Sequence, residues 1–230
     1  MSCRRSLFAA CAAAALVVTA AWAQVAPSAV EIARYSGLHA AAQQGDLAAV
    51  ERFAASRAAT ETRDAHGRTP LHVATFAQQH DVIRALAKAG AELGALEYDR
   101  YDAVTIASVA DDEITLRVLL TVGASAKLVT SRYDGTALIA AAHLGHDGVV
   151  RQLVRAGAPL DHVNNLHWTA LIESIILGNG GARHVATLRA LVEAGASTRL
   201  ADREGRTPLA LAQGRGYDEM VAILLKAGAK

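Results

Sequence analysis

A motif with a fixed period constrains this chain more than any other feature of its sequence. The clearest copy reads Gly67-Arg68-Thr69-Pro70-Leu71-His72-Val73-Ala74. The leucine place of this motif recurs at steps of 33, 33, 34, 33 and 38 residues, at Leu38, Leu71, Val104, Leu138, Leu171 and Leu209. A period in the low thirties predicts a solenoid, in which each repeat packs only on its neighbours.

A glycine follows the same period and marks the end of each repeat. It stands in an Ala/Val-Gly-Ala tripeptide, 19 residues after the leucine in four repeats and 24 after it in one, at Gly90, Gly123, Gly157, Gly195 and Gly228. The longer spacing comes from extra residues around 178–183. Counting from Leu171 places this insertion between the two helices of its repeat, away from the segments that join the repeats.

The second repeat indicates how one unit is built. Thr69 is a favourable N-cap, and Pro70 takes the first helical position, where its missing N–H costs no hydrogen bond. A short apolar helix follows, and Val82, Ile83 and Leu86 then lie on one face of a second helix. Each unit is therefore predicted to be a pair of helices joined by a turn.

Four segments together resemble the ankyrin repeat family: Thr69-Pro70-Leu71-His72-Val73-Ala74, Leu144-Gly145-His146, Leu153-Val154-Arg155-Ala156-Gly157-Ala158 and Gly205-Arg206-Thr207-Pro208-Leu209. The resemblance covers six repeats over residues 36–230. It implies an all-α ankyrin-repeat solenoid of six helix–turn–helix units joined by β-hairpin-like fingers. It also implies a protein-binding module, because such stacks bind partner proteins through the finger tips and the concave face of the first helices. The sequence has no Gly-x-Ser-x-Gly, no phosphate-binding loop and no His-Glu-x-x-His, so we expect no catalysis and no cofactor.

The first 23 residues have the pattern of an export signal. Arg4 and Arg5 form a positive start, residues 7–18 are a short apolar run, and Ala21-Trp22-Ala23 is a small-residue cleavage site. The apolar run is too short to span a bilayer comfortably. An uncleaved N-terminal membrane anchor is the alternative interpretation of this segment.

We expect cleavage between Ala23 and Gln24, which leaves a periplasmic or secreted chain with no membrane segment. Residues 24–35 then form a lead-in to the repeats. The only cysteines, Cys3 and Cys11, lie in the leader, so the fold must depend on packing and not on disulfides.

The charge balance argues against two classes of partner. The sequence has 23 Lys and Arg against 22 Asp and Glu, and removal of Arg4 and Arg5 leaves 21 against 22, a net charge of −1. A chain so close to neutral has no electrostatic footprint for nucleic acid or for a membrane surface. We therefore expect a protein partner, and a monomeric chain in its absence.

Partner-binding residues are expected where the repeats differ, because scaffold positions recur. The fingers precede each leucine by three to seven residues. The third, fourth and fifth fingers (97–101, 131–135 and 164–168) hold four of the eight aromatic residues of the mature chain. Tyr, Trp and Arg carry most binding hot spots. The predicted contacts on these fingers are Tyr98, Arg100, Tyr101, Arg132, Tyr133, His167 and Trp168.

A second set of candidates lies on the predicted concave face, five and six residues after each leucine. These positions are polar in the end repeats and apolar in the middle ones. An apolar patch with a polar rim is typical of an interface. The predicted patch consists of Phe76, Val109, Leu144, Ile176 and Leu177.

Two further interpretations concern the same regions. The finger aromatics would pack on neighbouring fingers if their task were to stiffen the stack, since an exposed aromatic needs no special role. His143 and His146 would have to hold a metal ion if the chain were a sensor or an enzyme. Zinc needs three or four ligands, however, and Gly145 ends the helix between the two histidines, so we predict no metal site. His39, His72 and His146 are predicted to be structural hydrogen-bonding residues.

Overall fold

The computed structural model describes residues 24–54 and 57–230; the predicted leader and the cleavage site after Ala23 lie outside these ranges. Within the described residues, six helix pairs follow one another along the chain, as predicted. They are α2 (Gly37–Gln44) with α3 (Leu47–Phe53), α5 (Pro70–Phe76) with α6 (His80–Lys88), α7 (Ala103–Val109) with α8 (Glu113–Thr121), α9 (Ala137–Leu144) with α10 (Asp147–Arg155), α11 (Ala170–Ile176) with α12 (Ala182–Glu193), and α13 (Pro208–Arg215) with α14 (Asp218–Lys226). Two short helices stand outside the pairs, α1 (Ala29–Arg34) and α4 (Arg57–Thr60).

The helices form two layers, because each helix packs on its counterpart in the next repeat. First helices contact first helices from α2 to α13, and second helices contact second helices from α3 to α14. The leucine place of the motif lies between the layers and is buried in all six repeats. None of the helices in the described part of the chain is long and apolar enough to cross a membrane.

Each finger from the second to the sixth is closed by a side chain that lies seven residues before the leucine. Asp64 Oδ1 accepts the backbone N–H groups of His66 and Arg68 at 2.8 and 2.9 Å. The same place is held by Glu97, Ser131, Asn164 and Asp202, and each accepts at least one N–H of its own finger. An acceptor at this place stabilises a tight turn in the finger.

The fingers are also bonded to one another. The backbone N–H of Tyr98 donates to the carbonyl of His66 at 3.0 Å, and that of Ser131 donates to the carbonyl of Arg100 at 2.8 Å. Regular strand pairing occurs within the fourth finger, where β1 (Val129–Thr130) runs antiparallel to β2 (Gly135–Thr136). In the first repeat, residues 29–34 form helix α1 where the other repeats have a finger.

The insertion lies between α11 and α12, as the spacing predicted, and it ties several repeats together. His184, on the first turn of α12, places Nε2 3.0 Å from the carbonyl of His143. The hydroxyl of Tyr217 donates to the carbonyl of Gly178 at 2.9 Å, so the insertion also contacts the sixth repeat. Arg183 pairs with Asp111 at 2.8 Å, two repeats earlier. The insertion and the start of α12 therefore link the fifth repeat to the third, fourth and sixth repeats.

The histidine that follows the motif leucine links each of the first two repeats to the next one. His72 is buried and its Nδ1 accepts the N–H of Thr69 at 3.0 Å, while Nε2 lies 3.1 Å from the carbonyl of Tyr101. Because Nδ1 is an acceptor, Nε2 carries the proton of a neutral ring and donates it to Tyr101. His39 makes the equivalent contact with the carbonyl of Arg68 at 2.9 Å. These geometries confirm the predicted structural role of both histidines.

Stability is expected to fall on acidification because of His72. Burial lowers the pKa of His72 from 6.5 to about 4. Between these values the unfolded chain binds a proton that the folded chain does not, so the free energy of unfolding decreases as the pH falls from 6.5 to 4. The expected contribution is about 3 kcal/mol. Urea unfolding at pH 7 and pH 4 measures it, and in His72→Gln the difference between the two pH values should shrink by about this amount. His66→Gln, which removes an exposed imidazole, is the control; an equal difference in all three proteins would contradict the assignment.

Candidate protein-binding surface

The third to fifth fingers present several of the predicted contact residues to solvent. Tyr98 is 70% exposed, and the side chain of Arg132 is 75% exposed. Arg100 and His167 are exposed as well, and Tyr133 is half-buried. The finger-to-finger hydrogen bonds hold these side chains along one edge of the stack. The structure therefore brings most of the predicted fingertip residues onto one surface.

Tyr98 packs on the neighbouring finger with one side of its ring. A Cβ built on Gly67 would lie 2.5 Å from a ring carbon of Tyr98, so the ring rests directly on this glycine. The rest of the ring faces solvent. Stacking between fingers and exposure to a partner are therefore both features of Tyr98, and the stiffening interpretation holds in part.

Two ion pairs connect the third and fourth fingers in opposite directions. Arg100 reaches forward to Asp134 at 3.4 Å, and Arg132 reaches back to Asp99. Exposed ion pairs contribute little to stability because water and salt screen them. Their effect here is to orient two guanidinium groups on the finger surface.

Tyr101 is buried, with 7% of its surface exposed. Its carbonyl accepts from His72, and its N–H donates to Glu97 at 3.0 Å. Burial raises the pKa of its phenol. Tyr101 stands three residues before the motif valine Val104, at the place of the buried Arg68 in the second finger. It is a structural residue of the third finger and not a fingertip contact, which corrects the sequence-based prediction.

Trp168 stands at the same place in the fifth finger and is half-buried. Its side chain packs against the hydrophobic core, and its backbone N–H donates to Oδ1 of Asn164 at 3.0 Å. Only part of the indole faces solvent. The aromatic residues of the fingers therefore divide into outward ones, at the turn, and inward ones, at the entry to the first helix.

Three fingers carry a side chain in a left-handed backbone conformation. Arg100, Asp134 and His167 have φ of 68°, 51° and 64°, at the place where the second and sixth fingers have Gly67 and Gly205. This conformation is unfavourable for residues with a Cβ. Such outliers often mark functional positions, because the strain persists only where the surroundings hold it. The turn glycine is thus replaced by exposed or half-buried side chains in the three fingers that sequence reasoning selected.

The residues of the predicted apolar patch lie in the layer of first helices. Its members lie at the C-terminal ends of four consecutive first helices, and each is half-buried: Phe76, Val109, Leu144, Ile176 and Leu177. They occupy equivalent places in successive repeats, so they follow the length of the stack. Whether a partner contacts them stays a prediction.

His143 has a buried partner that the sequence analysis missed. Its Nδ1 lies 3.3 Å from the carboxylate of Glu173, which also accepts from Asn164 at 2.8 Å. Burial raises the pKa of Glu173. The signal in the sequence is the place two residues after the leucine, which is aliphatic in the other five repeats, for example Ala140 and Leu211.

The structure does not assemble a metal site at His143 and His146. Nδ1 of His146 lies 2.9 Å from the carbonyl of Ser108, as expected for a structural histidine. In the ranges 24–54 and 57–230, no group of three or more His, Cys, Asp or Glu side chains is placed to hold a metal ion. The metal interpretation therefore lacks a third ligand in the described part of the chain.

Comparisons with known proteins agree with this architecture. A sequence model for ankyrin repeats in three copies matches residues 24–97, and a single-repeat model matches residues 133–165 and 204–230. The ankyrin repeat protein YahD of Escherichia coli strain K12 is 35% identical over 190 residues, which cover 82% of this chain and 94% of YahD.

Solved structures give the same result. An ankyrin repeat domain from Acinetobacter baumannii AYE aligns with a TM-score of 0.77 and 42% identity, covering 84% of this chain and 98% of that one. The ankyrin repeat domain of Bcl-3, a member of the IκB protein family, aligns with a TM-score of 0.75 and 28% identity, covering 86% and 88%. The chain belongs to the ankyrin repeat family. Such domains are typically noncatalytic scaffolds that bind other proteins.

Replacing His167 by glycine is expected to stabilise the fold. Glycine adopts positive φ without a Cβ penalty, so His167→Gly should raise the free energy of unfolding by about 1 kcal/mol. Leu166→Gly in the same turn is the matched control. It should lower that energy by at least roughly 0.5–1 kcal/mol, because it adds backbone freedom to the unfolded chain and removes a half-buried side chain. Urea titration of both variants gives the two values; a destabilised His167→Gly would show that the side chain is needed by the fold itself.

Proposed function

We propose that this chain is a protein-binding module that recognises its partner with the third to fifth fingers and the apolar patch beside them. The observation that carries the proposal is the replacement of the turn glycine by side chains in three consecutive fingers. Arg100 and His167 are exposed there at positive φ, next to the exposed Tyr98 and Arg132. Strain of this kind opposes folding, whereas a binding surface gains a displayed guanidinium and a displayed imidazole.

The proposed mechanism is recognition by a preformed surface. Hydrogen bonds between adjacent fingers and the cross-finger ion pairs already fix the contact residues in the free protein. Little conformational entropy is then lost on association, which favours affinity. Exposed arginines add charge complementarity toward acidic groups of the partner.

We also propose that the module works in the bacterial cell envelope after export and removal of its leader. The support is the leader pattern of the first 23 residues and the confinement of both cysteines to it. There it would support or inhibit an envelope enzyme or a toxin. An inhibitor forms a tight one-to-one complex that abolishes the partner's activity, whereas a supporting protein binds more weakly and preserves it.

Substitutions on the fingers test the binding surface. Tyr98→Ala, Arg132→Ala and His167→Ala are combined in one protein and used with the unaltered chain to capture partners from an envelope extract. The captured protein is then purified, and its affinity for each variant is measured by calorimetry. We expect the triple variant to lose about thirtyfold or more in affinity, corresponding to one hot-spot residue of about 2 kcal/mol.

The matched control places three substitutions on the second-helix layer, at residues that are more than half exposed to solvent: Arg84→Ala, Ile114→Ala and Leu225→Ala. This control should bind as the unaltered chain does. If the control loses affinity and the finger variant keeps it, the partner binds the opposite face of the stack and the proposed surface is rejected.

Export is tested by expressing the full chain in Escherichia coli and measuring the intact mass of the protein in each cell fraction. The expected product is a periplasmic chain that begins at Gln24. Ala23→Lys should block cleavage, because the cleavage site requires a small residue at this place. Unprocessed protein confined to the cytoplasmic fraction would contradict the export proposal without affecting the binding proposal.

A further inference from the structure

The lead-in, residues 24–35, is held against the second finger by polar contacts. The hydroxyl of Tyr35 donates to Asp64 at 2.8 Å, and the carboxylate of Glu31 pairs with Arg68 and with His66. Further toward the N-terminus, Nη1 of Arg68 donates to the backbone carbonyl of Val25 at 3.2 Å. The lead-in therefore follows the surface of the stack from the first repeat to the second finger.

The arginine three residues before the motif leucine is buried to different extents in the second and the sixth finger, and the second finger has both the lead-in and the third finger beside it. Arg68 and Arg206 occupy the same place in their fingers, and each forms an ion pair with the aspartate four residues before it. The side chain of Arg206 is 54% exposed, whereas that of Arg68 is 2% exposed. The lead-in supplies Arg68 with two additional acceptors, Glu31 and the carbonyl of Val25, as a buried guanidinium requires.

The start of the lead-in enters a cavity beside the proposed partner surface. This cavity of about 170 Å³ is lined by Gln24 and Val25 together with Phe76, Asp99 and Tyr101. The amide nitrogen of Gln24 is buried and forms no hydrogen bond with any residue that the structure describes. Phe76 is the first member of the apolar patch, so the lead-in reaches the place where that patch begins.

The lead-in is attached by hydrogen bonds and ion pairs more than by apolar burial. Helix α1 has no buried residue, and its apolar side chains Val30 and Ile32 are exposed. Hydrogen bonds from the side chain and the backbone of Ser28, with a further contribution from Arg68, lower the pKa of Glu31 to about 2, so its carboxylate is charged at neutral pH. A segment with few buried apolar contacts opens at low free-energy cost.

We propose that the lead-in is a built-in occupant of the groove between Arg68 and Phe76, and that an extended, acidic segment of the partner displaces it. This inference rests on the proposed binding function and adds the chemistry of the competing segment. A displacing segment that brings a carboxylate in place of Glu31 and a backbone carbonyl in place of that of Val25 restores both contacts of the guanidinium. Without them, Arg68 would keep its pair with Asp64 and lose the charge-assisted hydrogen bonds that the lead-in supplies.

A single introduced cysteine tests the occupancy without any partner, because residues 24–230 contain no cysteine. The rate at which iodoacetamide modifies Phe76→Cys is measured in the mature chain, alone and combined with Glu31→Ala. We expect Glu31→Ala to increase the rate about tenfold, the factor that corresponds to one lost charge-assisted hydrogen bond. Arg68 keeps its pair with Asp64 in this variant, so the fold should persist, and a thermal melt checks it.

Val109→Cys is the matched control, since Val109 holds the equivalent place in the next repeat and does not line the cavity. Its modification rate should not respond to Glu31→Ala. Equal rates for Phe76→Cys with and without Glu31→Ala would overturn the proposal. A rate that depends on protein concentration would also overturn it, because it would show the lead-in exchanging between two copies of the chain.

The required chemistry is tested by adding a synthetic peptide of residues 24–35 to the protein that carries Phe76→Cys and Glu31→Ala. The peptide should restore slow modification, and the same peptide with Glu31→Gln should not. Failure of both peptides, or equal protection by both, would overturn the acidic-segment requirement. No partner enters these measurements, so their failure is distinct from a failure of the finger variants to lose affinity.

Discussion

Each inner helix pair of this protein packs against the pair before it and against the pair after it, and each end pair packs against one neighbour. The motif leucine illustrates the constraint: it lies between the two helix layers, and helices of the neighbouring repeats complete its surroundings. All six leucine places are buried, and the stability of any repeat therefore depends on its neighbours. The backbone bonds between fingers add a second link of the same kind, from one repeat to the next.

This dependence explains why polar residues concentrate at the links between repeats. His72 joins the second repeat to the backbone of Tyr101 in the third finger. Glu173, fully buried, joins His143 of the fourth repeat to Asn164 of the fifth finger. A buried polar group stays satisfied only while both repeats keep their register, so these contacts fix the geometry of the stack more than they add to its stability.

The proposed binding surface and the lead-in are formed by equivalent segments of different repeats. The finger turn accepts different side chains without loss of its closing hydrogen bonds, because an acceptor seven residues before the leucine supplies them. In the first repeat the corresponding segment is helix α1. It lies against the second finger and does not form a finger of its own. One end of the stack is thereby covered while the third to fifth fingers stay open to solvent.

The sequence by itself determined the architecture. The recurring leucine and glycine predicted six helix pairs and the place of the insertion, because burial between repeats selects the same residue types at every period. It also identified the fingers that depart from the pattern. The sequence shows that Arg100 and His167 stand where other fingers have glycine. It does not show that their backbone is left-handed.

Only the tertiary structure decided which side chains are available. Tyr98 and Tyr101 lie three residues apart in one finger, yet one faces solvent and the other is buried. The direction of each side chain is set by the neighbouring finger and by the first helix, and a single repeat does not contain that information. The same holds for Arg68, whose guanidinium is bonded to Glu31 and to the carbonyl of Val25 in the lead-in. The lead-in is not a copy of the repeat motif, so no periodic signal indicates these two contacts, and only the folded chain brings their partners together.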